Sequence, residues 1–105
     1  MMIRFALAQA VASVESLRDA LVRLAATPTD AHHDIGWLRL RCEDTLAYRV
    51  DLQLASMKQL LVDLAAFDGE FPGLLPPDLR QRCAQALGAA LDERRGSHAL
   101  VSGAP

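Results

Sequence analysis

An unbroken heptad pattern of apolar residues in the first quarter of the chain constrains its fold most strongly. These residues recur at alternating spacings of four and three positions, and they are Ile3, Leu7, Ala10, Val14, Leu17, Leu21 and Leu24. Apolar positions with this spacing form one stripe of an α-helix and suit the seam between two packed helices. The pattern predicts a helix over about residues 2–26, which Pro28 brings to an end.

The composition of the chain favours helices throughout. Alanine and leucine contribute 18 residues each to the 105, and 51% of the residues are hydrophobic, whereas only 5% are aromatic. Alanine and leucine are strong helix formers, and strands are enriched in the β-branched and aromatic residues that this chain uses sparingly. The composition therefore predicts one folded all-α domain and argues against an all-β fold or a disordered chain.

Two further helices are predicted from amphipathic patterns. A long central helix should cover about residues 30–67, because its apolar residues fall within one broad arc when wound at 100° per residue. A third helix should cover about residues 78–95. The predicted fold is an all-α, three-helix chain with a long central helix in an antiparallel bundle. The single domain spans residues 1–96, and residues 97–105, which carry Ser, Gly and Pro, form a flexible tail.

The connection between the second and third helices is unusually apolar. It contains Phe67, Phe71, Leu74 and Leu75. Side chains of this kind are poorly suited to a fully solvated loop. We expect the connection to fold over one end of the core.

The predicted helix lengths leave apolar surface without cover. At 1.5 Å per residue the central helix is ~55 Å long and its neighbours ~37 and ~27 Å, so much of the chain has two helices in cross-section. Two helices bury little core, and we expect a homodimer or a subunit of a heteromeric complex. The residues expected to mediate self-association are Leu7, Val14, Leu17, Leu21, Leu54, Met57 and Leu61. A break of the central helix near Gly36 would weaken this expectation.

A second set of residues on the central helix is a candidate for binding a partner protein. Trp37, Tyr48, Leu52, Ala55 and Val62 share one side of the helix, among polar neighbours. Trp and Tyr are frequent anchors of protein interfaces. Burial beneath the first or third helix is the alternative, and the sequence leaves both open.

One ion pair is predicted near the start of the central apolar arc. Arg39 and Glu43 are separated by four positions, which places them on adjacent turns of a helix. A paired charge within an apolar stripe can set the register between helices or contribute to partner binding. Exposure of that end of the arc to solvent is the alternative.

Residues of catalytic type cluster in one segment, His32-His33-Asp34-Ile35-Gly36. This segment resembles the His-x-Leu-Lys-Gly motif of histidine phosphotransfer domains, which are all-helical and of similar size. It shares the histidine and the glycine four residues later. Asp34 replaces the leucine, and Ile35 replaces the lysine that offsets the phosphate charge. The resemblance implies, as an alternative function, a phosphotransfer protein that uses His32 or His33.

Other patterns of catalysis or metal binding are missing from the sequence. It contains no glycine-rich phosphate loop, no nucleophile elbow and no evident acid–base pair of carboxylates. Cys42 and Cys83 lack zinc-site spacing and fall at apolar helical positions. We interpret them as buried hydrophobic residues, with a disulfide or a reactive thiol as alternatives. We expect a non-enzymatic protein with no catalytic residues, metal or cofactor.

The charge pattern favours a protein partner. The net charge is −2 and basic residues are interleaved with acidic ones, so we expect no nucleic-acid binding. No apolar run approaches the ~20 residues of a membrane span, so we expect no membrane association and a cytoplasmic location. In size and helicity the chain resembles small bacterial secretion chaperones and antiactivators. A chaperone, adaptor or antiactivator that binds through amphipathic helix faces is the predicted function.

Overall fold

The described part of the chain contains four α-helices rather than the predicted three. The computed structural model describes the backbone of residues 2–47 and 54–103 and the side chains of residues 5–47 and 55–93. The helices are α1 (Met2–Ala25), α2 (His32–Leu46), α3 (Leu54–Glu70) and α4 (Pro77–Gly103), and no strand occurs among these residues. The predicted all-α class and the position of the first helix are confirmed.

The continuous central helix predicted over residues 30–67 is wrong, because the chain reverses direction between α2 and α3. Asp34 near the start of α2 shares a groove with Glu70 at the end of α3, so the two helices are antiparallel. Gly36, where a break was considered, lies inside α2. Helical periodicity indicates which face of a segment is apolar, but it does not indicate where one helix ends and the next begins. The sequence between α2 and α3 contains no glycine or proline, the residues that most often signal a helix end.

The helices form a square bundle in which each helix packs against two others. α2 and α4 both adjoin α1 and α3, whereas among the described residues no Cα of α1 lies within 8 Å of α3, and none of α2 within 8 Å of α4. All four helices contribute to one core. Its largest fully buried side chains include Val14, Leu17, Leu21, Ile35, Leu38, Met57, Leu60 and Leu87.

The heptad stripe of α1 packs against helices of the same chain. Val14, Leu17 and Leu21 are completely buried in the core. On the side facing α4, the Cys83 thiol donates a hydrogen bond to the carbonyl oxygen of Ser13 at 3.1 Å, so the two helices approach closely there. The two-helix cross-section that suggested dimerisation is replaced by a four-helix one. Dimerisation itself stays a prediction.

The α3–α4 connection covers one end of the core, as its apolar residues predict. Leu75 is buried, and the rings of Phe67 and Phe71 lie 5.4 Å apart between centroids. Gly73 turns the chain with a φ of 80°, a conformation that residues with a Cβ rarely adopt. Pro77 then occupies the first position of α4, where its missing N–H costs no intrahelical hydrogen bond.

α4 is longer than the predicted third helix. It continues to Gly103, whereas the sequence predicts an end near Arg95 and a flexible tail from residue 97. The backbone of residues 97–103 is therefore helical. Gly96, interpreted as a stop, lies within the helix, because an isolated glycine costs only ~1 kcal/mol relative to alanine in a helix.

Candidate functional site

Three large apolar side chains remain exposed on the side of the bundle formed by α2 and α3. Trp37 is 51% exposed, Leu40 is 57% exposed and Val62 of α3 is 61% exposed. Trp37 and Leu40 lie one turn apart on the side of α2 that points away from the core. Val62 lies one turn before Ala66, which lines a groove together with Trp37. We define the α2–α3 face as these residues and their polar neighbours: Asp34, Trp37, Leu40, Arg41, Asp44, Val62, Asp63, Ala66 and Glu70.

Arg41 connects the two helices at the centre of this face. Its guanidinium carbon lies 4.8 Å from the centroid of the Trp37 ring. Its Nε lies 2.8 Å from Asp63 Oδ2 in an ion pair across the helix interface. Gln59 Nε2 donates a hydrogen bond to the other Asp63 oxygen at 3.0 Å. The cation–π contact and the ion pair hold the Trp37 ring in place while half of it stays exposed.

Shallow grooves lie on either side of Arg41. One groove is lined by Trp37 together with the carboxylates of Asp34 and Glu70. The other runs past Asp44 towards the start of α3. The described side chains that line these two grooves carry carboxylates and hydroxyls, among them Asp34, Glu70 and Ser56, and no histidine or cysteine.

The structure places three of the predicted partner-binding residues in solvent. Trp37, Ala55 and Val62 are all exposed. They share one side of the bundle because α2 and α3 pack next to each other, and not because they lie on one continuous helix. Tyr48 and Leu52 lie outside the described residues. The role of all five in partner binding stays a prediction.

The Arg39–Glu43 pair lies on α2 and is accessible to solvent. Arg39 Nε is 3.5 Å from Glu43 Oε2, and the two side chains are 44% and 46% exposed. An exposed pair at this spacing adds only ~0.2–0.5 kcal/mol to a helix. Its predicted role in helix register or partner binding is not tested by this geometry.

Six of the seven residues predicted for self-association pack in or against the core of a single chain. Val14, Leu17, Leu21 and Met57 are fully buried. Leu7 and Leu61 are partly buried and pack against the same core. The side chain of Leu54 lies outside the described residues. Val14, Leu17, Leu21 and Met57 would be available to a second copy only if the bundle opened.

Sequence analysis missed Leu40 and the bridge between Arg41 and Asp63. Leu40 and Arg41 follow Trp37 by three and four positions, so their proximity to the ring is readable from helical spacing. Asp63 carries no such signal. Its contact with Arg41 depends on the reversal of the chain between α2 and α3.

The histidine segment lies at the start of α2. His32 Nε2 lies 2.8 Å from the carbonyl oxygen of Thr27, within hydrogen-bonding distance, and the side chain of His33 is exposed. Ile35, at the position where the phosphotransfer motif has its lysine, is 1% exposed and belongs to the core. The backbone therefore directs that position away from any phosphate on the surface.

Both cysteines are free thiols in the core. Burial raises the pKa of Cys42 to about 12, with a smaller contribution from Cys83 in the same direction. Burial raises the pKa of Cys83 to about 11, with the charge of Arg82 opposing the shift. The Cα atoms of α2 and α4 are all more than 8 Å apart, too far for a disulfide, which needs ~4.4–6.8 Å. At neutral pH both thiols are protonated and behave as hydrophobic side chains.

The described residues contain no group of three or more His, Cys, Asp or Glu side chains that could hold a metal ion. None of the helices, over the residues described, combines the length and the hydropathy needed to cross a bilayer. No protein-family model, curated protein or solved structure matches this chain. Its class is therefore set by its own geometry: an antiparallel four-helix bundle with an exposed tryptophan on the α2–α3 face.

Proposed function

We propose that this chain is a non-enzymatic protein–protein interaction module that binds a partner protein through the α2–α3 face. The observation that carries the proposal is the exposure of Trp37 next to Leu40 on a bundle whose own helices already share a closed core. Exposed apolar side chains grouped on one surface are typical of binding sites. Tryptophan is also among the residues most enriched at the energetic centres of interfaces.

The exposed area of these two side chains is large enough to support specific binding. Half of a tryptophan side chain and somewhat more than half of a leucine remain in water. Removing this apolar surface from water favours association at ~25 cal/mol per Å², and part of that gain offsets the entropy lost when two molecules associate. The contact of Trp37 with Arg41 reduces the side-chain entropy that binding removes, because the ring is already held in one orientation.

Within this class we propose a small cytoplasmic chaperone, adaptor or antiactivator, all of which act by covering an amphipathic segment of another protein. The groove lined by Trp37, Asp34 and Glu70 supports the binding of an amphipathic segment, because a helix packs readily into the groove between two others. In this proposal the side chains of the α2–α3 face bind a partner and carry out no catalysis.

Affinity capture with paired variants tests the proposal. The tagged chain and a Trp37→Ala/Leu40→Ala variant are used as baits in extracts of the source cells. A Phe5→Ala/Val22→Ala variant is the matched control, because it removes two exposed apolar side chains from α1 instead. Circular dichroism melts establish that both variants fold. The expected result is a protein retained by the wild type and the control and lost by the α2–α3 variant.

Two results would contradict this function. A partner retained equally by the Trp37→Ala/Leu40→Ala bait would show that binding uses another surface. Loss of the partner from the α1 control alone would move the site to α1.

Histidine phosphotransfer is not supported by the geometry at His32 and His33. One ring already contacts a backbone carbonyl, and the position of the motif lysine is buried. We therefore expect no acid-labile phosphate after incubation with a phosphorylated receiver domain. Phosphate that is incorporated and then lost in the His33→Gln variant would reverse this choice.

A further inference from the structure

We infer that the segment recognised by the α2–α3 face is a basic amphipathic helix, with cationic side chains at both ends of a short apolar stripe. The inference rests on the proposed function and specifies the chemistry of the partner. It is carried by the charges around Trp37 and Leu40 and by their spacing along the bundle.

The α2–α3 face carries an excess of negative charge. Four carboxylates, those of Asp34, Asp44, Asp63 and Glu70, stand against the single guanidinium of Arg41. Arg41 and Asp63 neutralise each other through their ion pair. The remaining three carboxylates form no ion pair or hydrogen bond with any described residue.

A lysine near the edge of the face does not cancel this excess. Lys58 lies one turn before Val62 on α3 and is exposed. Counting it still leaves two more negative than positive charges. A partner that approaches the face therefore meets a negative potential, which favours lysine and arginine on the partner.

The unpaired carboxylates bracket the apolar residues. Asp34 and Glu70 line the same groove at one end of the face. Asp44 lies ten residues after Asp34 on α2, which corresponds to ~15 Å, or nearly three helical turns. Trp37 and Leu40 lie between these ends. A docked helix of about three turns can bury an apolar stripe against both residues and place a cationic side chain near each end.

The same charges disfavour a second copy of this chain as the occupant. In a two-fold dimer each face meets the same face of its partner. Such pairing would bring the unpaired carboxylates of one copy towards those of the other, and like charges at an interface are unfavourable. A basic segment from a different protein avoids this repulsion and compensates the charges instead.

A displayed peptide library tests the inference directly. The probes are three-to-four-turn alanine-based helices with a fixed leucine stripe, in which the end positions vary among Lys, Glu and Gln. The full chain is the bait, and the fluorescence of Trp37, the single tryptophan of the sequence, reports binding at the face. We expect enrichment of clones with lysine at both ends. Raising salt from about 0.05 to about 0.5 M should weaken their binding several-fold.

Variants of the bait identify the charges that matter. Asp34→Asn/Glu70→Gln should weaken the selected lysine peptides about three- to tenfold, since exposed charge pairs contribute modestly to affinity. Asp92→Asn is the matched control, because Asp92 is an exposed carboxylate on α4. It should leave the affinity unchanged.

The outcomes separate this inference from the proposed function. Selection of acidic or uncharged peptides that still change the Trp37 fluorescence would overturn the basic partner but leave the face in use. Lysine peptides that bind the double variant as tightly as the wild type would also overturn it. Failure to enrich any amphipathic clone overturns the inference, whereas the capture experiment with Trp37→Ala/Leu40→Ala decides the proposed function independently.

Discussion

Replacing Leu17 by alanine tests whether the heptad stripe of α1 is buried against helices of the same chain. Leu17 has no exposed surface and lies at the centre of a core built from all four helices. Truncating a fully buried leucine costs ~2–5 kcal/mol, because transfer free energy is lost and the surrounding helices cannot close the cavity. We expect about 3 kcal/mol for Leu17→Ala. Val22→Ala on the same helix, at a side chain 47% exposed, should cost less than about 1 kcal/mol.

Urea unfolding followed by circular dichroism measures both variants. For a chain of this size the slope is ~1–1.5 kcal/mol per molar urea, so Leu17→Ala should lower the midpoint by ~2–3 M. Each curve is recorded at two protein concentrations a hundredfold apart. A self-contained bundle has the same midpoint at both concentrations, whereas an obligate dimer loses ~2.7 kcal/mol of apparent stability on that dilution.

Two results would refute the reasoning. A Leu17→Ala midpoint within error of the Val22→Ala midpoint would show that the residue is not in a closed core. A wild-type midpoint that falls on dilution would show that the bundle completes its core with a second copy, as the heptad pattern alone predicts.

Other substitutions test the turn geometry and the buried thiols. Gly36→Ala should raise the free energy of unfolding by about 0.5–1 kcal/mol, since a Cβ in α2 meets no atom within 4 Å. Gly73→Ala should lower the free energy of unfolding by about 1 kcal/mol because of the positive φ. Thermal melts in which Gly36→Ala destabilises the chain and Gly73→Ala stabilises it would contradict these two interpretations. The raised pKa values of Cys42 and Cys83, about 12 and about 11, mean that only the unfolded thiols ionise near the ordinary value of 9.0. Their contribution to stability should be complete below about pH 8 and be lost as pH rises from about 9 to about 11 for Cys83 and to about 12 for Cys42, by up to ~1.4 kcal/mol per pH unit for each thiol. Denaturation curves of Cys42→Ala/Cys83→Ala should show a shallower alkaline loss, and an unchanged loss would exclude the thiols as its cause.

The closed core changes what the exposed residues mean. In an open two-helix arrangement, exposed apolar side chains would belong to an unfinished core. In the four-helix bundle the core is already shared by four helices, and Trp37 and Leu40 lie outside it. Their exposure is therefore not a gap in the core, and it is the observation on which the proposed partner binding rests.

The carboxylates of the α2–α3 face limit the class of partner that we propose. In the proposed complex the apolar contact should supply most of the affinity, because Trp37 and Leu40 offer the larger exposed area. The carboxylates at both ends should add direction and selectivity, since exposed charges influence specificity and association rate more than affinity. A partner segment without cationic ends would bind the same apolar residues less selectively.

The features that depend on local periodicity could be predicted without the structure. The spacing of Val14, Leu17 and Leu21 identified a helix and its buried stripe, because side chains three and four positions apart share one face of any α-helix. The apolar connection with Phe71 and Leu75 was likewise recognisable as a cover for the core. These properties are set by residues close together in the chain.

The end of the second helix and the faces that remain exposed depend on long-range packing and could not be predicted from the sequence. A reversal between α2 and α3 leaves the apolar period of each helix unchanged, so periodicity could not distinguish one long helix from two antiparallel ones. That reversal brings Asp63 of α3 within 2.8 Å of Arg41 on α2. The guanidinium of Arg41 in turn packs against the Trp37 ring. The reversal also divides the predicted central helix into two, so that four helices share the core. Non-local packing selects which apolar residues the chain buries, and it leaves Trp37 and Leu40 exposed on the α2–α3 face.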